Sequence, residues 1–416
     1  MISRRRRLGE ALVVLAALAL VDVAVQIDRG WFELHLADGF CATRPTHLVA
    51  LTMARVTLVA IAVVMVAWLR PRVGCWAARK TVTEAASSIA RMLAAAVLAL
   101  VVCDLGLRLK AHWHPPPPVP PAPLPPLVPD STLGWKSAAP STTVMMVDGK
   151  KITYAIDPDG MRAEAETDRV DWNVPSIVFG GESYTEGIGV DWRDAYPEVI
   201  ERDTGIQAVP IAVHGYANDQ IYLATKAALA RVAKPVAVIT LVLPTLLSRD
   251  LVQTRPRLVL ASDGSFETAA AAPQWWLDSP VRKIAKRVFP YHDASPIQLA
   301  RAIFAETKRM SEARGAFPLF VYTTWGDWCM APSDGVPALP QRLFEGQDLH
   351  WIEVPLNPNE VDHTTYHPTP KAQRQLADAI EKALTHVLAS RRSPLQATPE
   401  PPALDPTSVH GSDRSQ

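Results

Sequence analysis

The 416-residue sequence has no excess of charge of either sign, few cysteines and no visible internal repeat. Its 42 lysines and arginines balance 42 aspartates and glutamates, so nothing indicates binding to nucleic acid. The four cysteines lack the spacing of metal ligands, and we interpret them as small buried side chains. A basic nucleic-acid binder and a cysteine-rich metal domain are therefore not indicated.

Three long apolar segments occupy the first quarter of the chain, at residues 9–27, 48–69 and 87–108. Each approaches the ~20 residues that a helix needs to cross a bilayer. Four arginines at residues 4–7 precede the first segment, as in a signal peptide. The apolar region is long, however, and no convincing small-residue cleavage site follows it. The sequence therefore predicts a retained membrane anchor over residues 1–110, with three transmembrane helices.

Positively charged residues predict the orientation of these helices. The arginine run and the second loop, with Arg70, Arg72, Arg79 and Lys80, are expected in the cytoplasm. Residues 28–47 carry few basic residues and are expected outside. Arg108 and Lys110 oppose this orientation, but eight basic residues favour it. Everything after about residue 110 should then be extracytoplasmic.

Charged residues interrupt the apolar segments at Asp22, Arg55 and Asp104. Charge inside a membrane is costly and is usually paired or functional. One interpretation is that flanking acids neutralise the arginine or that the side chains extend toward the outer surface. The other is a polar seam that contacts a partner or a substrate.

The remaining chain divides into three regions by composition. Proline dominates residues 114–129, which predicts a semi-rigid polyproline II linker over 111–129. Residues 130–390 form the predicted folded domain. After about residue 390 the chain is rich in proline and serine without apolar periodicity, so 391–416 are predicted to be a disordered tail.

The predicted domain alternates short apolar runs with helical patterns. The expected strands are 177–179, 207–213, 236–243 and 317–323, and the expected helices are about 194–203, 217–233, 296–314 and 369–389. Continuous apolar strands are typical of a sheet that is covered on both faces. The pattern predicts an α/β three-layer sandwich with a parallel sheet.

One segment carries the strongest functional signal. Residues 177–190 read Ile-Val-Phe-Gly-Gly-Glu-Ser-Tyr-Thr-Glu-Gly-Ile-Gly-Val, which places Ser183 just after a strand. Open α/β sheets bind ligands at the carboxyl ends of their strands, although such a serine can also be an ordinary turn residue. The segment resembles the first motif block of the SGNH/GDSL hydrolases, Gly-Asp-Ser-x-Thr-x-Gly. Four positions match, and Glu182 replaces the aspartate.

The resemblance continues in order along about 260 residues. Gly215 takes the place of the second-block glycine, and residues 215–220 are similar to an envelope-associated branch of the family. Residues 133–135, 156–162 and 255–260 also resemble segments of that branch. The last block appears at His367-Pro368. The resemblance implies an SGNH/flavodoxin-like sandwich.

The resemblance also implies residue roles. Ser183 would be the nucleophile and His367 the base that takes its proton. The amides of Ser183 and Gly215 would face the developing oxyanion. The family chemistry requires no cofactor and no metal. His363 and His367 have the spacing of a metal pair, but Pro368 makes a helix across them unfavourable.

The sequence departs from the family pattern at two further places. Arg249 stands where the third block has an oxyanion-binding Asn, so either Arg249 or Asn218 could donate instead. Thr364 occupies the position of the last-block Asp. Asp362, or else a backbone carbonyl, could therefore orient the imidazole. Asp362 and Arg249 could equally be solvated surface charges.

The resemblance and the predicted orientation together imply a function. We expect an outward-facing serine esterase or O-acyltransferase that acts on O-acyl groups, O-acetyl above all, of an envelope or secreted glycan. A separate membrane acyltransferase could be its partner, and the bacterial inner (cell) membrane its location. Trp325 and Trp328 could line a sugar site or belong to the core. The alternative is a catalytically degenerate module that binds glycan or assists assembly.

Overall fold

The computed structural model describes residues 2–27, 45–113, 124–273, 296–326 and 337–392. Most of the predicted proline-rich linker, the predicted tail after residue 392, and Trp328 lie outside these residues. The helices are α1 (Ile2–Gln26), α2 (Pro45–Val64), α3 (Arg70–Arg79), α4 (Val82–Trp113), α5 (Ser183–Glu186), α6 (Tyr196–Thr204), α7 (Asn218–Arg231), α8 (Pro244–Arg249), α9 (Pro296–Ala313), α10 (Leu339–Phe344) and α11 (Pro370–Arg392). The strands are β1 (Leu127–Asp130), β2 (Gly134–Ser137), β3 (Ser141–Val147), β4 (Lys150–Ile156), β5 (Arg162–Ala163), β6 (Pro175–Gly180), β7 (Gln207–Pro210), β8 (Lys234–Val242), β9 (Arg257–Leu260), β10 (Phe266–Ala269), β11 (Phe317–Trp325) and β12 (Trp351–Leu356).

A five-stranded sheet in the order β12-β11-β8-β6-β7 forms the centre of the domain, and all its pairings are parallel. Because side chains alternate along a strand, Ile177 and Phe179 face one side while Val178 faces the other. Helices α6 and α11 pack on the first face, and α7 and α9 on the second. This confirms the predicted α/β three-layer sandwich with a parallel sheet.

The strand order places a topological switch point next to Ser183. From β6 the chain proceeds to β7 on one side, and it then crosses to β8 on the other. The connections that leave β6 and β8 therefore diverge, which opens a crevice at the carboxyl ends of these two strands. Ser183 follows β6, and Arg249 ends the helix that follows β8. The topology thus brings these two segments to the same edge.

A small antiparallel sheet precedes the main domain and packs against it. Strands β3, β4 and β5 form a meander, and its inward side chains, including Tyr154, contact Ile188 beyond α5. The sequence patterns did not predict these strands. They also did not predict β12 at the edge of the main sheet, where Glu353 and Pro355 break the apolar run.

Three helices of the described residues are long and apolar enough to cross a membrane: Arg4–Gln26, Leu48–Arg79 and Thr83–Lys110. The second is longer than predicted, because residues 70–79, expected in a loop, continue the helix as α3. Helix α3 packs closely against α1, since a Cβ atom on Gly9 would lie 2.9 Å from the Cβ atom of Ala77. The N-terminal arginine run and the second basic cluster therefore lie at the same end of this helix pair.

Charged residues inside the apolar helices bind partners within these same helices. The Arg55 guanidinium donates to the carbonyls of Ala24 and Val25, at 3.0 and 3.2 Å. These carbonyls belong to the carboxyl end of α1, which carries partial negative charge. Asp104 accepts from Arg108, four residues further along α4, at 2.7 Å. Arg55 is therefore satisfied by main-chain oxygens of α1.

Candidate active site

Ser183 is presented by a tight turn between β6 and α5. The turn requires glycine at position 181, because a Cβ atom there would lie 1.9 Å from Thr185 Oγ1. The Thr185 hydroxyl is in turn hydrogen-bonded to the Tyr196 hydroxyl at 2.9 Å. As the first residue of α5, Ser183 has a backbone N–H without a partner inside the helix. The turn thus holds both the hydroxyl and the amide of Ser183 at the sheet edge.

His367 lies against this serine although 184 residues separate them in sequence. Its Nε2 atom is 2.8 Å from Ser183 Oγ, and its Nδ1 atom is 2.8 Å from the Thr365 carbonyl oxygen. Because a carbonyl oxygen only accepts, Nδ1 must carry a proton. In the neutral ring Nε2 is then free to accept the serine proton, which is the tautomer that a general base needs.

Asp362 does not contact the imidazole ring. Its carboxylate is buried and accepts the amides of Thr364 and His367, at 3.0 and 2.9 Å, together with the Thr365 hydroxyl. The oxygens are thus occupied by the turn that carries His367. The Thr365 carbonyl, the main-chain alternative to Asp362, takes the place at Nδ1. Asp362 therefore shapes the loop, and the loop orients the ring.

Glu182 binds the serine hydroxyl directly, a contact that the sequence did not predict. The side chain is 1% exposed, and its Oε2 atom accepts from Ser183 Oγ at 2.5 Å. Its Oε1 atom accepts the amide of Tyr184 at 3.1 Å and caps α5. Burial raises the pKa of Glu182, but Arg249, the Ser183 hydroxyl and His367 together lower it below its usual value. A carboxylate therefore touches the candidate nucleophile.

Arg249 points into the site rather than to solvent. Its Nη1 atom donates to Glu182 Oε2 at 3.0 Å and to the Tyr216 carbonyl at 3.2 Å, and its side chain is 34% exposed. The guanidinium and the Ser183 hydroxyl thus bind the same oxygen, Glu182 Oε2. The two departures from the family pattern, at positions 182 and 249, thus form one ion pair. The available signal in the sequence was that both departures occur together, with opposite charge.

Gly215 lies in a segment that is held from two sides. It has a φ of +83°, which favours glycine, and the Trp135 ring covers it. The preceding residue, His214, donates its amide to the buried Glu186 at 2.6 Å and accepts from Trp135 Nε1 at 3.3 Å. The resemblance segments around residues 133–135 and 215–220 therefore contact each other.

Asn218, the other candidate donor to the oxyanion, is buried and binds a neighbouring acid. Its side-chain amide donates to Asp250 Oδ2 at 2.7 Å inside the protein. Burial and the neighbouring Asp219 raise the pKa of Asp250 well above its usual range. The donor that the sequence offered as a substitute is therefore used to satisfy a buried acid.

One aromatic ring packs against His367, and a second packs against the first. The Tyr184 ring meets the imidazole edge-on with centroids 5.7 Å apart, and the centroid of the Trp325 ring lies 6.0 Å from that of Tyr184. Tyr366, next to the histidine, is 72% exposed. Burial raises the pKa of the Tyr184 hydroxyl far above its usual value, so this group is a neutral donor or acceptor. Among the described residues, no cluster of three or more His, Cys, Asp or Glu could hold a metal ion.

Comparison with known proteins gives similarities at the level of structure only. No family model matches the sequence, and no curated protein matches it.

The similar solved structures include a member of the lipolytic G-D-S-L family from Veillonella parvula. It has 11% identity and a TM-score of 0.31, with 52% of this chain and 99% of that one covered. An acetyl xylan esterase from Butyrivibrio proteoclasticus has 15% identity and a TM-score of 0.30, with 55% and 68% covered. A family two carbohydrate esterase from Clostridium thermocellum has 11% identity and a TM-score of 0.31, with 53% and 67% covered. In its sequence motifs and in the solved structures that it matches, the chain is similar to the SGNH/GDSL hydrolases.

Proposed function

We propose that the protein is a membrane-anchored serine esterase or O-acyltransferase that acts on O-acyl groups of a glycan outside the cytoplasm. The contact of 2.8 Å between Ser183 Oγ and His367 Nε2 carries the proposal. A serine hydroxyl is a weak nucleophile until a positioned base takes its proton. The protonated Nδ1 atom on the Thr365 carbonyl leaves His367 in the tautomer for this task.

The chemistry follows from these positions. His367 Nε2 removes the proton of Ser183 as Oγ attacks the ester carbonyl, and the carbonyl oxygen becomes an oxyanion. The amide of Ser183 and that of Gly215 are the proposed donors to it, and one such donor is worth ~10²–10³ in rate. Collapse of this intermediate expels the alcohol, which takes the proton from His367, and leaves an acyl-serine. Water or a second hydroxyl then accepts the acyl group.

The proposed substrate class rests on the sequence motifs and on the surroundings of the site. The exposed Tyr366 neighbours His367 in sequence, and the half-buried Trp325 packs against Tyr184, whose ring contacts the histidine. Aromatic faces suit sugar rings, which present apolar C–H surfaces. The three apolar helices support a membrane anchor, and the positive charges at residues 4–7 and 70–80 support an outward-facing domain. A membrane acyltransferase is the proposed partner if the acceptor is a sugar hydroxyl.

The test uses the full-length protein in detergent, a fluorophosphonate probe and an aryl acetate. Ser183→Ala should abolish labelling, and His367→Ala should lower turnover by at least ~10³-fold. The double variant should cost little more than either change alone, because the two residues act as one unit. Ser265→Ala, in the β9–β10 turn, and His386→Ala, exposed on α11, are the matched controls.

The outcomes separate the enzyme from its alternative. Labelling that persists in Ser183→Ala removes the proposal. A wild-type protein that stays folded, reacts with neither reagent and still binds glycan would instead establish the non-catalytic module. Products formed with a sugar acceptor in place of water would identify a transferase.

A further inference from the structure

The hydrogen bonds around Ser183 contain more acceptors than its single proton can serve. Ser183 Oγ lies 2.5 Å from Glu182 Oε2 and 2.8 Å from His367 Nε2. A hydroxyl donates one hydrogen bond only. Each contact has the length of a two-centre hydrogen bond, and a two-centre bond holds its own proton between its two atoms. One more proton than that of the hydroxyl must therefore be shared among the three side chains.

Two arrangements satisfy both contacts. In the first, the hydroxyl donates to the Glu182 carboxylate, and a doubly protonated His367 donates from Nε2 to Oγ. In the second, the hydroxyl donates to a neutral His367, and a protonated Glu182 donates to Oγ. Both arrangements hold one proton more than the reactive form, in which Glu182 is ionised and Nε2 accepts from the serine. The observed contacts are therefore those of a resting state.

We propose that Glu182 is a catalytic residue that keeps one additional proton on the Ser183–His367 pair at rest, and that Arg249 is the positioning residue that takes over the carboxylate when this proton leaves. The proposal rests on the proposed esterase or transferase function. On activation, the additional proton goes to solvent and no bond between heavy atoms changes. The hydroxyl then donates to His367 Nε2, and Glu182 is held by Arg249 and by the amide of Tyr184.

The position of Arg249 fits this second role. Its Nη1 atom already donates to the same Oε2 atom that accepts from the serine. When the serine turns its proton to His367, this oxygen loses a donor, and a buried carboxylate without a donor is costly. The guanidinium is permanently charged and has several N–H donors, so it can satisfy the oxygen alone. Arg249 therefore makes the reactive form accessible.

Among the described residues, few charged or titratable groups lie around Glu182 and could hold the additional proton. The charged and titratable side chains that face Glu182 are Arg249, His367, Tyr184 and Tyr196. Both tyrosines are buried, and burial raises their pKa values far above the usual range, so they remain neutral. Asp362 faces His367 from its own loop, but it binds the main-chain amide of that residue. The proton count is thus set by Glu182, His367 and Arg249.

The test is the pH dependence of labelling by a fluorophosphonate in the full-length protein. Glu182→Gln keeps the shape and the cap on α5 but removes the charge that holds the proton. The rise of the labelling rate with pH should move to lower pH by about one unit, the size expected for removing a charged neighbour. Arg249→Ala removes the positive charge that pairs with the Glu182 carboxylate. The carboxylate should then hold the additional proton on the Ser183–His367 pair more strongly. The rise for this variant should move to higher pH by about one unit.

Further variants separate this role from a structural one. Arg249→Lys should restore most of the wild-type profile, and the double variant Glu182→Gln with Arg249→Ala should behave like Glu182→Gln alone. Glu182→Asp, one methylene shorter, should also move the rise to lower pH, because it withdraws the carboxylate from Oγ. The matched controls are Glu164→Gln and Arg231→Ala, since both side chains form exposed ion pairs.

Opposite shifts in Glu182→Gln and Arg249→Ala support the proposal. Unchanged profiles, or shifts of both variants in the same direction, overturn it. Labelling that persists in Ser183→Ala would instead remove the esterase function itself, so the two failures are distinguishable.

Discussion

The ring of His367 takes its orientation from the main chain that carries it. The Thr365 carbonyl accepts from Nδ1, while the Asp362 carboxylate binds the amides of the turn. A carbonyl dipole stabilises an imidazolium less than a carboxylate does, since it has no net charge. The ionised Glu182, which accepts from Ser183 on the other side of the ring, adds a negative charge near the imidazole. The site therefore differs from the family pattern, because a carbonyl orients the ring and a glutamate next to the serine carries the charge.

A half-buried acid away from the site, Glu198, provides a prediction on stability. Burial, reinforced by Glu201, raises the pKa of Glu198 from 4.5 to about 7. As the pH rises through this window, the unfolded chain releases the proton before the folded one does, so the stability of the domain falls. Glu198→Gln cannot ionise. It should therefore unfold at a higher temperature than the wild type above neutral pH and lose this advantage in acid.

Thermal unfolding at two pH values checks this prediction. A gain of one kcal/mol corresponds to about 2–4 °C for a domain of this size. Glu312→Gln is the control, because this side chain is exposed on α9 and pairs with Lys308. An equal gain at both pH values would show that ionisation is not the cause.

The β3–β4 hairpin is the element that fixes the histidine loop from outside. At its tip Asp148, with a φ of +47°, accepts the amide of His363 at 3.1 Å and the Thr364 hydroxyl at 2.8 Å. Its own amide donates to the Thr364 hydroxyl at 2.8 Å. The hairpin thus connects the small sheet to the loop that presents His367, through a contact with His363 that spans 215 residues of sequence.

Removal of this connection should affect catalysis more than folding. We predict that Asp148→Gly lowers kcat/KM for an aryl acetate about tenfold, because displacing a catalytic group by ~1 Å can cost up to 10²-fold. Glycine adopts the positive φ without strain, so only the carboxylate is lost. Asp348→Gly is the matched control, since Asp348 is exposed and has a φ of +51°. Equal activity of the two variants would show that the hairpin does not position the histidine.

At the scale of the whole molecule, the chain combines apolar helices with a domain built around one parallel sheet. Helix α1 and the long helix that ends at Arg79 bring their basic residues to one end, where Arg5 Nη1 donates to the Lys80 carbonyl at 3.0 Å. Positive residues prefer the cytoplasmic side of a membrane. This shared basic end supports the proposed orientation.

Reporter fusions provide the test of this orientation. A reporter joined after residue 112 should be active only outside the cytoplasm, and one joined near residue 80 only inside. Replacing Arg70, Arg72 and Arg79 together with glutamine should weaken this preference. A fusion after residue 112 that reports the cytoplasm would contradict the three-span arrangement and place the serine site inside the cell.

The sequence by itself determined four strands of the main sheet, the four long helices of the domain and the order of the motifs. Strands such as β6 and β8 and helices such as α9 were predicted within a few residues, because apolar runs and helical periodicity are local properties. Ser183 and His367 were selected by motif, and the structure brings them into contact. The edge strand β12 was missed because its sequence alternates with polar residues and proline.

Only the tertiary structure decided which groups meet at the site. Glu182 and Arg249 are 67 residues apart. They meet because β6 and β8 are neighbours in the sheet and each residue follows the carboxyl end of one of these strands. The same holds for Asp362, whose carboxylate accepts the amide of His367, and for Asn218, whose side chain donates to Asp250. Periodicity and motif spacing carry no information on such contacts, because a hydrogen bond depends on distances of a few tenths of an ångström between segments that the fold positions.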